Sequence, residues 1–130
     1  MGCCKMERGK LKIFFGYSAG VGKTYAMLKS AQEAKAGGED VIIGYLEPHD
    51  RPDTLKMAEG LPALPLKNID YKGITLKEFD VDAALLRRPQ IILVDELAHT
   101  NALGSKNQKR YLDVEELINN GIDVWTTVNV

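Results

Sequence analysis

The chain has 130 residues, the size of one domain, which excludes a pair of full catalytic domains. Its 17 Lys plus Arg against 18 Asp plus Glu leave a formal charge of -1, without the global basic excess of a dedicated nucleic-acid binder. Apolar runs such as Ile91-Ile92-Leu93-Val94 fall far short of the roughly 18 residues that a membrane-crossing helix needs.

The only cysteines, Cys3 and Cys4, are adjacent and precede the first structured segment. There they can neither staple a core nor complete a zinc set, so a reducing compartment is expected. The Met-Gly-Cys-Cys start invites an acylation reading, but Met6 stands where an N-myristoylation signal wants Ser or Thr. Residues 1–9 are therefore expected to be a disordered leader, and residues 10–130 the domain.

Lys10 to Gly16, with Ile13-Phe14-Phe15, reads as a short buried strand ending in glycine. A Gly-rich stretch from Gly16 to Gly22 then opens into a helix from Thr24 to Lys35. Ala26, Met27, Ser30, Ala31 and Ala34 form its sheet-facing stripe, and Gly37-Gly38 ends it. Asp40 to Leu46 is a second strand, followed by the polar loop Glu47-Pro48-His49-Asp50-Arg51-Pro52. Asp53 is expected to cap a short helix from Thr54 to Glu59, and Leu66 to Tyr71 to form an edge strand closed by Gly73. Leu76 to Arg88 reads as helical, with Leu76, Phe79, Ala83 and Leu86 as its stripe and Pro89 as its stop.

Gln90 to Val94 is the most apolar strand and delivers Asp95-Glu96. A loop from Leu97 to Asn107 leads to a helix from Gln108 to Asn120, stopped by Gly121, and Asp123 to Val130 is a last β-rich run. Strands alternating with helices predict an α/β fold with an open, mainly parallel sheet and helices on both faces. A final strand with no helix after it leaves one βα unit fewer than a complete nucleotide-binding sheet, so a fragment of a longer protein is expected.

Gly16-Tyr17-Ser18-Ala19-Gly20-Val21-Gly22-Lys23-Thr24, between a strand and a helix, ends in the Gly-Lys-Thr of a P-loop. Such a loop cradles phosphate oxygens with inward-turned N–H groups at a helix N-terminus. Gly16, Ser18, Ala19, Gly20, Val21 and Gly22 are the candidate main-chain contacts. Lys23 would reach the β- and γ-phosphates as a catalytic cation, and the Thr24 hydroxyl would ligate Mg²⁺. The strict pattern puts its first glycine where Tyr17 stands; here it comes one position earlier, at Gly16.

Asp95, at the C-terminal end of an apolar strand, suits the Walker B role of holding Mg²⁺. Glu96 either polarises a water for attack on the γ-phosphate or caps the next turn. An Asp-Glu pair also fits P-loop ATPases with an extra strand between the P-loop and Walker B strands. The Thr126-Thr127-Val128-Asn129 run is the candidate for that strand, with Thr127 or Asn129 sensing the γ-phosphate, or simply filling a half-exposed ladder. Glu47, His49 and Arg51, and likewise His99, Thr100 and Asn101, are either site residues or solvated loop. Arg87-Arg88 and Lys106, Lys109, Arg110 read as helix-end or surface charges, with an arginine finger toward a neighbouring subunit as the alternative.

The segments Gly16 to Leu28, Gly44 to Pro52, Leu93 to Asn101, Lys109 to Leu117 and Gly121 to Val130 together resemble the N-terminal cytoplasmic domain of the KdpD family, bacterial potassium- and turgor-responsive sensor histidine kinases. The resemblance implies a regulatory ATP-binding domain; the residues themselves add a P-loop NTPase-like fold, Mg²⁺ at Thr24 and Asp95, and slow hydrolysis through Glu96 as expectations. The resemblance also implies attachment to a stress-protein-like domain, membrane helices and a kinase core, and a response regulator controlling potassium uptake. By that reading this is a cytoplasmic domain of an inner-membrane protein. It would meet the membrane only through other segments, bind no nucleic acid, and have a homodimer as its candidate assembly. The rival from another class is a free-standing P-loop phosphotransferase such as a nucleoside kinase; a degenerate scaffold that binds no nucleotide is a third.

Overall fold

In the computed structural model residues 7–16, 21–48 and 51–129 are described, apart from the side chains of Val21 and Asn129. Ile91–Val94, an unbroken apolar run, forms a strand whose residues are all buried, as expected where both faces of a parallel sheet are covered. In chain order the elements are β1 (Leu11–Gly16), α1 (Val21–Ala36), β2 (Val41–Tyr45), α2 (Pro52–Ala58), β3 (Lys67–Tyr71), β4 (Ile74–Glu78), α3 (Val81–Arg87), β5 (Ile91–Val94), α4 (Arg110–Asn119) and β6 (Asp123–Asn129).

The main sheet has four strands in the order β1-β6-β5-β2, and all its pairings are parallel. The last strand therefore lies between β1 and β5, the insertion read from the Asp-Glu pair. Alternation sorts side chains to two layers. Ile91 and Leu93 join Met27, Leu28 and Ala31 of α1 on one face, while Ile92, Val94 and Val124 pack with Val81 and Ala84 of α3 and Val114 and Leu117 of α4 on the other. Helices on both faces are thus observed. No helix among the described residues is long and apolar enough to cross a membrane.

Within α1 the buried positions are Lys23, Thr24, Met27, Leu28 and Ala31, whereas Ala26 is exposed, which shifts the expected stripe by about one residue. The consequence is functional: the stripe that packs on the sheet also carries Lys23 and Thr24 inward at the first turn.

β2 breaks its alternation at Gly44, where the register with β5 shifts. A Cβ there would come 2.7 Å from Phe79 Cε1 and 2.8 Å from Ile92 Cδ1, so any larger residue would force those buried side chains to shift. The irregularity turns Tyr45 onto the α4 face, beside Ile42 instead of Ile43.

The helix expected from Leu76 to Arg88 is two elements. Lys72 and Gly73 both have positive φ, 50° and 80°, and form the two-residue turn of a β-hairpin in which Tyr71 is in register with Ile74 and Lys67 with Glu78. This hairpin is a separate two-stranded sheet, so Leu66 to Tyr71 is not an edge of the main one. Asp80 then caps α3, its carboxylate accepting from Ala83 N–H at 3.1 Å. Leu86, placed on the apolar stripe by periodicity, is 88% exposed. Asp53 does not cap α2: Arg51 occupies the N-cap position, Pro52 begins the helix, and Asp53 lies in its first turn.

Candidate functional site

Parallel pairing brings the C-terminal ends of β1, β6 and β5 side by side, with Gly16 in register with Asn129 and Val94 with Thr126. The first turn of α1 sits over them. Gly16 is closely approached by the lysine stem, since a Cβ there would lie 3.2 Å from Lys23 Cδ and 3.3 Å from Lys23 Cβ. Of the expected loop contacts, Gly16, Gly22, Lys23 and Thr24 are described, as is Val21 as the first residue of α1. Ser18, Ala19 and Gly20 lie outside the described residues, as does Tyr17.

Asp95 follows β5 on the α1 face and is wholly buried. Its carboxylate accepts from Thr24 Oγ1 at 3.3 and 3.4 Å, from Glu47 N–H at 3.0 Å and from the Thr127 hydroxyl. Residues 71 positions apart in sequence are thus joined at the expected metal-ligating pair, Thr24 and Asp95. Two oxygens from a hydroxyl and a carboxylate could serve Mg²⁺, which takes few protein ligands and keeps waters or ligand oxygens for the rest. Thr127, weighed beside Asn129 as a sensor, bonds Asp95 and also accepts Glu96 N–H at 2.9 Å. Asn129 stands at the sheet end opposite Gly16; its side chain lies outside the described residues.

Lys23 has a side chain only 1% exposed, and its Nζ lies 3.2 Å from Glu96 Oε1. Glu96 has φ 60°, a left-handed conformation that non-glycine residues seldom adopt. Its carboxylate faces the lysine and does not cap a turn; its carbonyl accepts from His99 N–H at 3.1 Å.

Behind the acidic pair lies a buried polar cluster. Arg110, read from sequence as surface charge, has no exposed area. Its Nη1 donates to the Asp95 carbonyl at 2.9 Å, its Nη2 to Glu78 Oε1 at 3.2 Å, and its guanidinium sits 4.1 Å from the centroid of the Tyr45 ring. That burial rules out an arginine finger at this position. Glu78 also takes His99 Nε2 at 3.0 Å and Ala102 N–H at 2.8 Å, so His99 is a structural partner and not a loose loop residue. Burial, reinforced by the Glu47 carboxylate, pushes the Tyr45 phenol from near 10 up to about 12.

Asn101 donates to Asp113 Oδ2 at 2.9 Å and Asn107 to Asp113 Oδ1 at 2.7 Å, tying the loop after Glu96 to α4; burial pushes the Asp113 carboxyl up despite these donors. Thr100 accepts from Lys109 Nζ at 2.7 Å. Arg87 forms a paired contact with Asp40 at 2.7 and 2.8 Å, and Lys106 bridges Asp82 and Glu116, so both are surface ion pairs as expected. Arg51 is exposed and shares an open cleft of about 260 Å³ with Gly22, Tyr25 and Thr54, next to the first turn of α1. His49 lies outside the described residues.

Tyr45, Glu78 and Arg110 are the residues that sequence reasoning missed. For Arg110 a signal existed: it shares the spacing of Asp113, Val114 and Leu117, the buried stripe of α4.

Comparison with known proteins bears on this arrangement. The family model described as KdpD, osmosensitive K+ channel His kinase sensor domain, matches residues 7–130. Relatives named Sensor protein KdpD are 67% identical in Clostridium acetobutylicum and 60% identical in Escherichia coli, each over 124 residues, or 95% of this chain. A protein named Putative sensor protein KdpD in Synechocystis is 51% identical over the same share. The chain spans 14% of the length of the first two and 34% of the third. These names speak for a sensor and against the free-standing phosphotransferase.

Proposed function

The chain belongs to the KdpD sensor-domain family, and from that premise we propose that it is the regulatory, P-loop NTPase-like unit of a longer sensor kinase, holding ATP and Mg²⁺ where α1 meets β1, β6 and β5. Residues 10–130 are that unit. The observation that carries the reading is the contact of Thr24 Oγ1 with the buried Asp95 carboxylate at 3.3 Å, beside a Lys23 whose amine faces Glu96.

Each group has one task. Gly16 lets the Lys23 stem lie across the end of β1, and the N–H groups at the start of α1 face the polyanion. Thr24 and Asp95 would hold the metal, which would supply charge screening for the phosphates. Lys23 is a buried cation whose counter-ion in this structure is Glu96. With a phosphate bound there, Lys23 would turn to it and leave Glu96 free to take a proton from the water whose oxygen bonds the γ-phosphorus as the bond to ADP breaks. Thr127, bonded to the Asp95 carboxylate and to the Glu96 N–H, would feel any movement of the pair. Nucleotide alters the sensor only by binding its two states unequally, and the loop leaving Glu96 is the element it would bias.

The longer protein is taken to be anchored in the inner membrane, with this domain on the cytoplasmic side. Its partners are its own remaining domains and a response regulator for potassium uptake; a homodimer is the candidate assembly. Isothermal titration of ATP with Mg²⁺ tests the site. The chain is expected to bind and Lys23→Ala to lose at least about tenfold in affinity, the scale of a charge-assisted contact of 1.5–3 kcal/mol. Equal binding by both removes Lys23 from the phosphates.

A further inference from the structure

Arg110 begins α4, well away in sequence from both acidic and glycine-rich motifs, yet it ends with no exposed area directly behind Asp95. An arginine cannot shed its charge, so burying one demands partners. Glu78, at 3.2 Å, supplies the counter-charge and the Tyr45 ring supplies a flat face at 4.1 Å. Those two contacts would settle a purely structural arginine. The remaining bond, Nη1 to the Asp95 carbonyl at 2.9 Å, is of another kind, because it grips the main chain of the expected metal ligand.

We infer that Arg110 is a positioning residue that orients the Asp95–Glu96 pair and so sets how strongly Mg²⁺ assists nucleotide binding. The inference rests on the nucleotide reading above. The Asp95 carbonyl and the Glu96 N–H belong to one peptide plane. Arg110 holds its oxygen and Thr127 Oγ1 holds its N–H at 2.9 Å, so the plane is pinned from both ends. Pinned that way, the chain leaves Asp95 with its carboxylate toward Thr24 and enters Glu96 at φ 60°, a turn that brings the second carboxylate to Lys23. Release of the carbonyl would let the plane rotate and Glu96 relax to negative φ, drawing both carboxylates away.

The same guanidinium is locked in turn. Glu78 accepts from His99 and from Ala102 N–H, and Arg110 N–H donates to the His99 carbonyl at 3.1 Å, so the loop leaving Glu96 closes around the arginine. A lysine at this position would keep the charge but not the planar fork that serves an oxygen on each side.

The experiment compares ATP affinity of the chain with Mg²⁺ and with EDTA, by isothermal titration, for the unaltered protein and Arg110→Lys. The expected result is a loss of about tenfold in the Mg²⁺-dependent gain, the usual scale for removing an outer-sphere partner of a metal ligand, with affinity in EDTA not lowered, because Glu96 drawn away no longer competes with phosphate for Lys23. An arginine that serves stability alone would lower the melting temperature and leave the gain intact, and that outcome overturns the inference. Should Arg110→Lys fail to fold, Glu78→Gln, which keeps the shape but loosens the grip on the guanidinium, is read the same way: a reduced gain supports the role and an unchanged gain overturns it. Absence of ATP binding by the unaltered chain would sink the nucleotide reading and this inference together. A normal gain in both proteins sinks only the role of Arg110.

Discussion

Asp95 and Glu96 are neighbours with opposite circumstances. Asp95 is buried and bonded to Thr24, Thr127 and Glu47, so its carboxylate has no freedom. Glu96 is held through its main chain, at φ 60°, and reaches Lys23 by a single contact at 3.2 Å. Under the proposed function the first would hold the metal and the second would exchange partners. Glu96→Gln is accordingly expected to keep ATP bound while lowering any steady-state phosphate release by about a hundredfold, the low end for loss of a general base; a colorimetric phosphate assay with unchanged turnover would discard that role. That Lys23 and Thr24 meet the Asp95-Glu96 pair was legible because both segments sit at strand ends that the α/β pattern brings together. Thr127 was only half legible, since a threonine in a β-run reads equally as ladder.

At the scale of elements, two local irregularities do the aiming. The break at Gly44 sends Tyr45 to the α4 face, where its ring meets Arg110 and its hydroxyl donates to Glu47 Oε2 at 3.3 Å. The hairpin β3–β4 ends at Glu78, which sets the carboxylate opposite the same arginine. Gly44→Ala is expected to cost about 1–3 kcal/mol, the range for overpacking a filled core, because Phe79 and Ile92 leave no room for a methyl group. The shift in urea midpoint measures it, and an unshifted midpoint would show that the strand relaxes. The first strand of the hairpin is legible, but Leu76 to Glu78 of the second reads as the start of a helix because Leu76, Phe79, Ala83 and Leu86 mimic a helical stripe, while the turn at Lys72-Gly73 lacks the usual Asn-Gly or Asp-Gly signature.

Across the whole molecule, the sheet separates two apolar layers, and the polar cluster around Arg110 ties β2, β4, β5 and α4 together at its C-terminal rim. Tyr45 makes that rim sensitive to high pH. The folded protein holds the phenol neutral up to about 12, whereas the unfolded chain ionises it near 10. Stability is therefore unaffected by this group below pH 10 and falls between 10 and about 12, by at most about tenfold in the unfolding constant per pH unit. Urea unfolding at pH 9, 10 and 11 is expected to show this slope and Tyr45→Phe to flatten it; matching slopes in the two proteins would disprove the assignment.

From the sequence alone came the α/β class, the alternation of strands and helices, the inserted strand, and the Lys23-Thr24-Asp95 set, because short-range periodicity and glycine punctuation encode local geometry directly. Kinship came instead from the resemblance of whole segments, Gly16 to Leu28 and Leu93 to Asn101 among them, and the family match over residues 7–130 agrees with it. The position of Arg110 under Asp95, the turn of Tyr45 to the other face and the Lys23–Glu96 contact were decided only by the folded chain. Each depends on which strand lies beside which and on a one-residue shift in register, and burial there inverts the ordinary surface preference of a charged side chain.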